Sequence, residues 1–316
     1  VGARAARITR EELLTPPEFR DLAGSAHHPA ARIGGARIEL VRSPNGETRL
    51  GACYQQIPVR VMPAFPISGE PASLVYLINL TAGLMDGDGH LVEVEARARS
   101  SAVITGQSAT RVHPALAGYA TQQWSVNVED EACLVVLPGP VIPFRGSRYF
   151  QRGRVNLAAT SRLIWGDIWL AGRYDRGELS EHHQFDKIVQ DFEVERAGRL
   201  VYRERFRWDG PWSQEEAGWY WGNSLACAGL LVAGPIAEVR PLFDPELTRS
   251  AFALDSGNWC VRWIGRPAAV TLDVAETALQ IAGVWTGGAG APPWLLTSTD
   301  LAPNHWFIRP GGMALP

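Results

Sequence analysis

The sequence predicts a mainly-β fold of helically layered strands, of the β-solenoid or β-sandwich kind, with about two helices in the C-terminal third. Three observations predict it. First, apolar residues alternate with polar ones. Val92, Val94 and Ala96 alternate with Glu93, Glu95 and Arg97, and Trp124, Val126 and Val128 with Ser125, Asn127 and Glu129. Period two is the signature of half-buried strands. Second, a small-x-[Leu/Val]-[Val/Ile] tetrad recurs. It starts at Ala72, Ser101, Ala132, Ser161 and Gly198, at intervals of 29, 31, 29 and 37 residues. A period near 30 with two or three strands in each suggests stacked β-layers. Third, 32 glycines and 22 prolines among 316 residues favour short elements joined by turns over long helices.

Along the chain, residues 1–32 read as a tail or short capping helix, interrupted by Pro16-Pro17. From Arg37 onward the pattern is β. Leu200, Tyr202, Phe206 and Trp208 share one face of a strand whose other face carries Arg203, Arg205 and Arg207. In the last third, Asp244-Pro245-Glu246 reads as a helix start, with a helix to about residue 254. Cys260 to Ile264 reads as a strand. Residues 273–285, with Val274, Ala278, Ile281 and Trp285 on one face, read as an amphipathic helix. Residues 286–293 are a Gly/Pro loop and the end from Asn304 is irregular. No linker divides the chain, so residues 33–316 form one β-rich domain with an α/β portion at about 235–300.

Composition excludes several functions. The net charge is -3, so no basic excess calls for nucleic acid. Lys187 is the one lysine, which leaves a P-loop or a Schiff base a single candidate. The longest apolar stretch, near 225–234, is too short to cross a membrane. The four cysteines are far apart, without zinc spacing, and read as reduced thiols of a cytoplasmic protein. The N-terminus carries arginines but no apolar signal core. G-x-G-x-x-G, G-x-S-x-G and H-E-x-x-H are all missing.

Two acids break apolar patterns. Asp167 lies in Leu163-Ile164-Trp165-Gly166-Asp167-Ile168-Trp169-Leu170, on the face of Leu163, Trp165 and Trp169. Glu204 lies between Tyr202 and Phe206 on the apolar face of its strand. An unpaired buried carboxylate costs several kcal/mol. Each acid therefore has a partner, is protonated, or faces an internal polar path; an internal salt bridge and an ion relay both remain open. Glu181-His182-His183 with Asp186 is the densest group of potential metal ligands, but a solvated turn between strands is the preferred reading, since adjacent histidines on a regular strand point to opposite faces. His27-His28 has the same standing. Thr81 to Gly89 is a turn-rich run whose acids serve turn chemistry or offer oxygen ligands. Thr105 to His113 is a small polar run that closes a strand or lines a passage.

An ordered series of segments then acquires a meaning. It begins with Tyr54-Gln55-Gln56-Ile57-Pro58-Val59-Arg60-Val61-Met62-Pro63-Ala64-Phe65-Pro66 and Val75-Tyr76-Leu77-Ile78-Asn79. Thr81-Ala82-Gly83-Leu84-Met85-Asp86-Gly87-Asp88 and Thr105-Gly106-Gln107-Ser108-Ala109-Thr110-Arg111-Val112 follow. Leu137-Pro138, the hairpin from Arg148 to Leu157, Gly166-Asp167-Ile168, Ala171-Gly172-Arg173 through Gly177-Glu178, and Arg203-Glu204-Arg205 complete it. The series resembles the UreD family of urease accessory proteins (UreH in some species) over residues 33–210. The chain departs from the family pattern at Leu80-Thr81-Ala82-Gly83, Asp86-Gly87-Asp88, Gly139 and Arg111.

The resemblance implies a non-catalytic maturation factor without a tightly bound cofactor. Such a protein binds UreF, and through UreF the GTPase UreG, and docks on apo-urease to assist nickel insertion. It also implies an internal passage for nickel in transit. The family positions associated with that passage fall on Asp88, Asp167 and Glu204 as transient metal contacts, with Ser108 and Thr110 lining it. Asp167 and Glu204 were singled out by the alternation as well. Two other readings remain open. One is a β-helical carbohydrate-active hydrolase or lyase using Asp167 with Glu178 or Glu204, which the 12 tryptophans would suit by sugar stacking. The other is an interaction module that handles no metal.

Overall fold

A computed structural model describes residues 7–22, 31–67, 71–173, 181–234, 247–255 and 258–286. Two 3-10 turns, Arg10–Glu12 and Pro17–Leu22, stand where a capping helix was expected. Pro16-Pro17 separates the two and prevents one continuous helix. Arg37, paired with both Glu12 and Glu93, ties the first turn to the body.

The chain then forms strands β1 (Ile33–Arg42), β2 (Thr48–Gln56), β3 (Val59–Val61), β4 (Phe65–Pro66), β5 (Ser73–Asn79), β6 (Gly89–Ala96), β7 (Ser101–Gly106), β8 (Thr110–Val112) and β9 (Ala120–Val128). β10 (Cys133–Leu137), β11 (Pro140–Pro143), β12 (Arg148–Leu157), β13 (Arg162–Leu170), β14 (Lys187–Arg196) and β15 (Arg199–Asp209) follow. Helix α1 (Gln214–Trp221) precedes β16 (Ala226–Ala233), β17 (Leu247–Asp255), β18 (Asn258–Gly265) and helix α2 (Pro267–Thr286).

From β5 to β14 the chain passes alternately between two sheets. One has the order β15-β14-β12-β9-β6-β1-β2, and the other runs β17-β18-β16-β13-β10-β7-β5-β3. Neighbours among β6, β9, β12 and β14 are parallel, as are those among β5, β7, β10 and β13. Each coil of about 30 residues therefore adds one strand to each layer, as the repeat predicts. The first four tetrads open β5, β7, β10 and β13, side by side in the second sheet. The fifth falls on β15, an antiparallel edge strand of the first sheet, and is no part of the repeat. A bulge there, between Val194 and Glu195, leaves Leu200 exposed rather than on the face of Tyr202.

The core between the sheets holds Val92, Val94, Trp124, Val126, Val155, Leu163, Trp165 and Phe192. The outer face of the second sheet is covered by α2, whose Val270, Val274, Ala278 and Ile281 cluster with Ile164, Ile168, Leu230 and Val232. The helix expected at 273–285 is thus present and begins earlier. The helix expected at 244–254 is overturned over its described part: residues 247–255 are β17, paired antiparallel with β18. Leu247, Arg249 and Ala251 face inward by alternation. The open edge of β18 offers backbone partners that outweigh a local helix-start signal. Arg249 then reaches Asp273 of α2 at 3.1 Å. Helix α1 was not foreseen, although Ser213 and Glu216 form a full capping box. The expected loop at 286–293 lies almost wholly outside the described residues, and Asp244-Pro245-Glu246 and the end from Asn304 lie wholly outside.

Candidate functional site

Parallel strands in register place equivalent inward residues side by side. On the inner face of the first sheet, His90 of β6 pairs in register with Gln122 of β9, Gln122 with Gln151 of β12, and Gln151 with Gln190 of β14. Four polar side chains thus form one row across four strands. Apolar rows flank it: Val92, Trp124 and Phe192 on one side, Tyr149, Ile188 and Trp208 on the other. At about 4.8 Å per strand, the row from β6 to the edge strand β15 spans about 19 Å.

The second sheet answers with a row of its own. Asp167 of β13 lies opposite Gly229 of β16, and Gly229 opposite Arg262 of β18. Asp167 projects toward the glutamine row. Its Oδ1 accepts from Gln151 Nε2 at 2.6 Å. Its Oδ2 accepts from Trp165 Nε1 at 2.9 Å and Gln190 Nε2 at 3.4 Å. Protein surrounds the carboxyl, yet the residue keeps accessible surface. Burial pushes its pKa from 3.8 to about 7; the Trp165 hydrogen bond opposes the rise and the nearby Glu204 charge adds to it.

Glu204 and Arg262 meet at the β15 end of the row, 2.7 Å apart. Tyr202 donates its hydroxyl hydrogen to Glu204 at 3.1 Å and accepts from Arg262 Nη2 at 2.9 Å. Burial opposes the guanidinium's charge, but Glu204 beside it keeps its pKa above the ordinary value. Gly229 makes room for this geometry: a Cβ there would lie 2.2 Å from Arg262 Nη1. Glu204 therefore has an arginine partner, but the pair sits at the sheet edge with its side chains 23% (Glu204) and 37% (Arg262) exposed, while among the described residues Asp167 hydrogen-bonds neutral groups only.

At the β6 end a cavity of about 60 Å³ opens, room for several waters. Ser108, Thr110, His90 and Gln122 line it. Tyr149 bridges from there toward Asp167, its hydroxyl 3.2 Å from Gln122 Oε1 and 3.5 Å from Gln151 Oε1. Polar side chains thus form a thread from exposed Ser108 and half-buried Thr110 at the cavity, past buried Tyr149 and half-buried Asp167, to Glu204 and Arg262 at the β15 edge.

Asp88 is placed differently. It is 2% exposed, and its carboxylate accepts from the backbone amides of Arg32 at 2.7 Å and Met85 at 2.9 Å. It is not among the residues lining the cavity. Asp86 likewise accepts from the amides of Leu116, Ala117 and Gly118. Asp88 thus ties its own turn to Arg32, and Asp86 holds the distant loop at Leu116 to Gly118. The Glu181-His182-His183 group also disperses. Glu181 pairs with Arg173, and Asp186 with Arg148 at 3.1 Å. His183 stacks on Trp212 with centroids 5.3 Å apart. Among the described residues no three His, Cys, Asp or Glu side chains converge as a metal site. Glu178 and His27-His28 lie outside the described residues.

Sequence reasoning found Asp167 and Glu204 but missed His90, Gln122, Gln151, Gln190 and Arg262. A signal was there. Each of the first four is a polar residue on the inward parity of its strand, as Asp167 is, at intervals of 32, 29 and 39 residues. Amides and imidazole are less conspicuous than carboxylates in an apolar pattern. Among the described residues no helix is long and apolar enough to cross a membrane.

Comparison with known proteins identifies the family. A family model described as UreD urease accessory protein matches residues 33–295. A urease accessory protein UreD of Deinococcus radiodurans is 33% identical over 226 residues, 70% of this chain and 78% of that protein. One from Anaeromyxobacter is 31% identical over 176 residues, 56% of this chain and 57% of its own length. One from Lysinibacillus sphaericus is 30% identical over 151 residues, 47% of this chain and 56% of its own. Several of these matches thus span a little over half of the curated relatives. The family model covers most of the chain, including every residue of the polar thread, and the chain belongs to the UreD family of urease accessory proteins.

Proposed function

We propose that this chain is a urease maturation factor that passes nickel ions along its internal polar thread toward apo-urease. UreF would bind it and bring UreG. The ion is cargo, not a resident cofactor. The observation that carries this reading is Asp167: a carboxyl on the inner face between the two sheets whose hydrogen-bond partners among the described residues are all neutral.

The donor set fits a cargo better than a tight site. Scattered oxygen donors hold Ni²⁺ weakly, and weak serial sites allow both entry and exit. Near pH 7 Asp167 is poised between its two forms. An arriving divalent cation favours the ionised form, so uptake at this point releases a proton. Glu204, freed from Arg262, would supply the next carboxylate. Ser108 and Thr110 sit at the other end, and Asp88 holds the loop that carries His90. Four free thiols suit a cytoplasmic setting.

The hydrolase reading fares worse. Asp167 lies between two packed sheets rather than on a cleft rim, and Glu204, at the sheet edge, is engaged by Arg262.

Co-expression with urease, UreF and UreG tests the proposal. Asp167→Ala and Glu204→Gln variants should still co-purify with UreF but yield urease with less nickel and less activity. Full activation by both variants would overturn the passage and favour a pure interaction module. Loss of UreF co-purification by the unaltered chain would overturn the partner assignment.

A further inference from the structure

The two sheets do not end together. β12 and β13 face each other through Gln151 and Asp167. Beyond them the second sheet adds β16, β18 and β17, while the first adds only β14 and β15. β18 faces β15, since Arg262 reaches Glu204 and the Cys260 sulfur lies 3.9 Å from the Tyr202 hydroxyl. β17 therefore overhangs, with no strand of the first sheet opposite it. Arg249 turns outward to α2, so by alternation Thr248, Ser250 and Phe252 face the overhung side, and all three are exposed. Phe252 is 45% exposed.

β15 shows the same gap from the other side. One strand further in, Ile188, Gln190, Phe192 and Val194 of β14 are buried. Their register partners on β15, Trp208, Phe206, Glu204 and Tyr202, face the same way but are only half-buried. At one end helix α1 fills the gap: Trp221 meets Trp208 with ring centroids 5.5 Å apart. From Tyr202 to Phe206 the gap stays open among the described residues. β15 pairs with β14 on one side and ends the first sheet, so its other side presents backbone N–H and C=O groups to any strand that arrives. The fold thus leaves the place of one more strand, beside β15 and opposite β17.

The strand that fits there has a definite pattern. Its inward side chains must be apolar, to cover Tyr202 and Phe252. Its outward ones lie beside Arg203 and Arg205, on the outer face of β15. Arg203 has Glu193 as partner at 3.1 Å and Arg205 has Glu18, yet both arginines remain exposed. They repel a basic neighbour and attract an acidic one. A second copy of β15 would set arginine against arginine, which keeps this edge from pairing with itself.

We propose that this place receives an extended segment of a partner protein that alternates apolar and acidic residues, adding a strand beside β15 and covering Phe252. In such additions backbone hydrogen bonds give affinity and alternate side chains give specificity. Glu204 and Arg262 line the same place, so the bound partner lies against the β15 end of the polar thread.

The test uses the full-length chain and two fluorescein-labelled heptapeptides as probes, one alternating valine with glutamate and the other valine with lysine. The glutamate peptide should bind, and the lysine peptide about tenfold more weakly or worse. Hydrogen exchange, read residue by residue, should slow at the outward amides of residues 199–207 when the glutamate peptide binds. Phe252→Asp should weaken that peptide about fivefold or more, and Arg203→Glu should narrow the preference between the two about threefold. Absence of binding, equal affinity for the two peptides, or binding without protection of residues 199–207 overturns the proposal. Slow exchange of those amides in the chain alone overturns it too: in a monomer another part of this chain fills the place, and in a dimer a second copy does. If Phe252→Asp does not fold, the contrast between the two peptides on the unaltered chain still decides. None of these outcomes depends on whether nickel passes between the sheets.

Discussion

Replacing Asp167 by Asn asks directly whether the carboxyl sits where the structure places it. The folded chain holds its pKa at about 7, against 3.8 ordinarily. Between those values the folded state binds a proton that the unfolded state has lost. Stability of the unaltered protein therefore falls as pH rises through about 4 to 7. The interval corresponds to about 4 kcal/mol of ionisation penalty above pH 7, at about 1.4 kcal/mol for each pH unit. Asn cannot ionise and escapes the penalty. It brings a cost: three donors, from Gln151, Trp165 and Gln190, converge on the carboxyl, and an amide has only one acceptor oxygen. One donor then faces an NH₂ group, at about 1–2 kcal/mol. The net expectation is a chain about 2–3 kcal/mol more stable than the unaltered one at pH 8. At pH 4 the gain disappears. Urea unfolding of both chains at pH 4, 5, 6, 7 and 8, read as midpoint and m-value, measures the difference. Parallel stability curves across that range would refute the argument, because the carboxyl would then ionise as freely in the folded chain as in the unfolded one.

Two further outcomes follow from the packing. Leu230→Ala should destabilise the chain by about 3 kcal/mol without abolishing folding, since Leu230 is fully buried between the second sheet and α2; a thermal-melt shift near zero would contradict the docking of that helix. Iodoacetamide at pH 8 should label exposed Cys53 first. Burial pushes Cys133 up to about 12 and raises Cys227 and Cys260 as well, so these should react only after unfolding. Mass spectrometry of the labelled native chain checks this, and rapid labelling of Cys227 would mean that the interior admits molecules much larger than a hydrated ion.

The sequence by itself determined the layered β architecture and two members of the site. Alternation at Val92, Val94, Trp124 and Val126 fixes which side of each strand is buried, and the tetrads near every 30 residues fix how often the chain changes sheet. These are local signals, set by the two-residue period of a strand and the length of one coil. Asp167 and Glu204 were legible for the same reason, as charges on faces that alternation marks as inward. The family resemblance was legible in the order of short segments. Tertiary structure decided the rest. The row of His90, Gln122, Gln151 and Gln190 exists only because four strands far apart in sequence align in register, and register depends on non-local pairing. Pairing also turned residues 247–255 into a strand, since the edge of β18 was open to receive it. Asp88 shows the converse. Its place in the motif suggested a metal contact, and what the motif could not announce is that the amides of Arg32 and Met85 reach its oxygens once the chain has coiled back beside it. Arg262 reaches Glu204 across two sheets because Gly229 leaves the space, a contact that no linear spacing encodes.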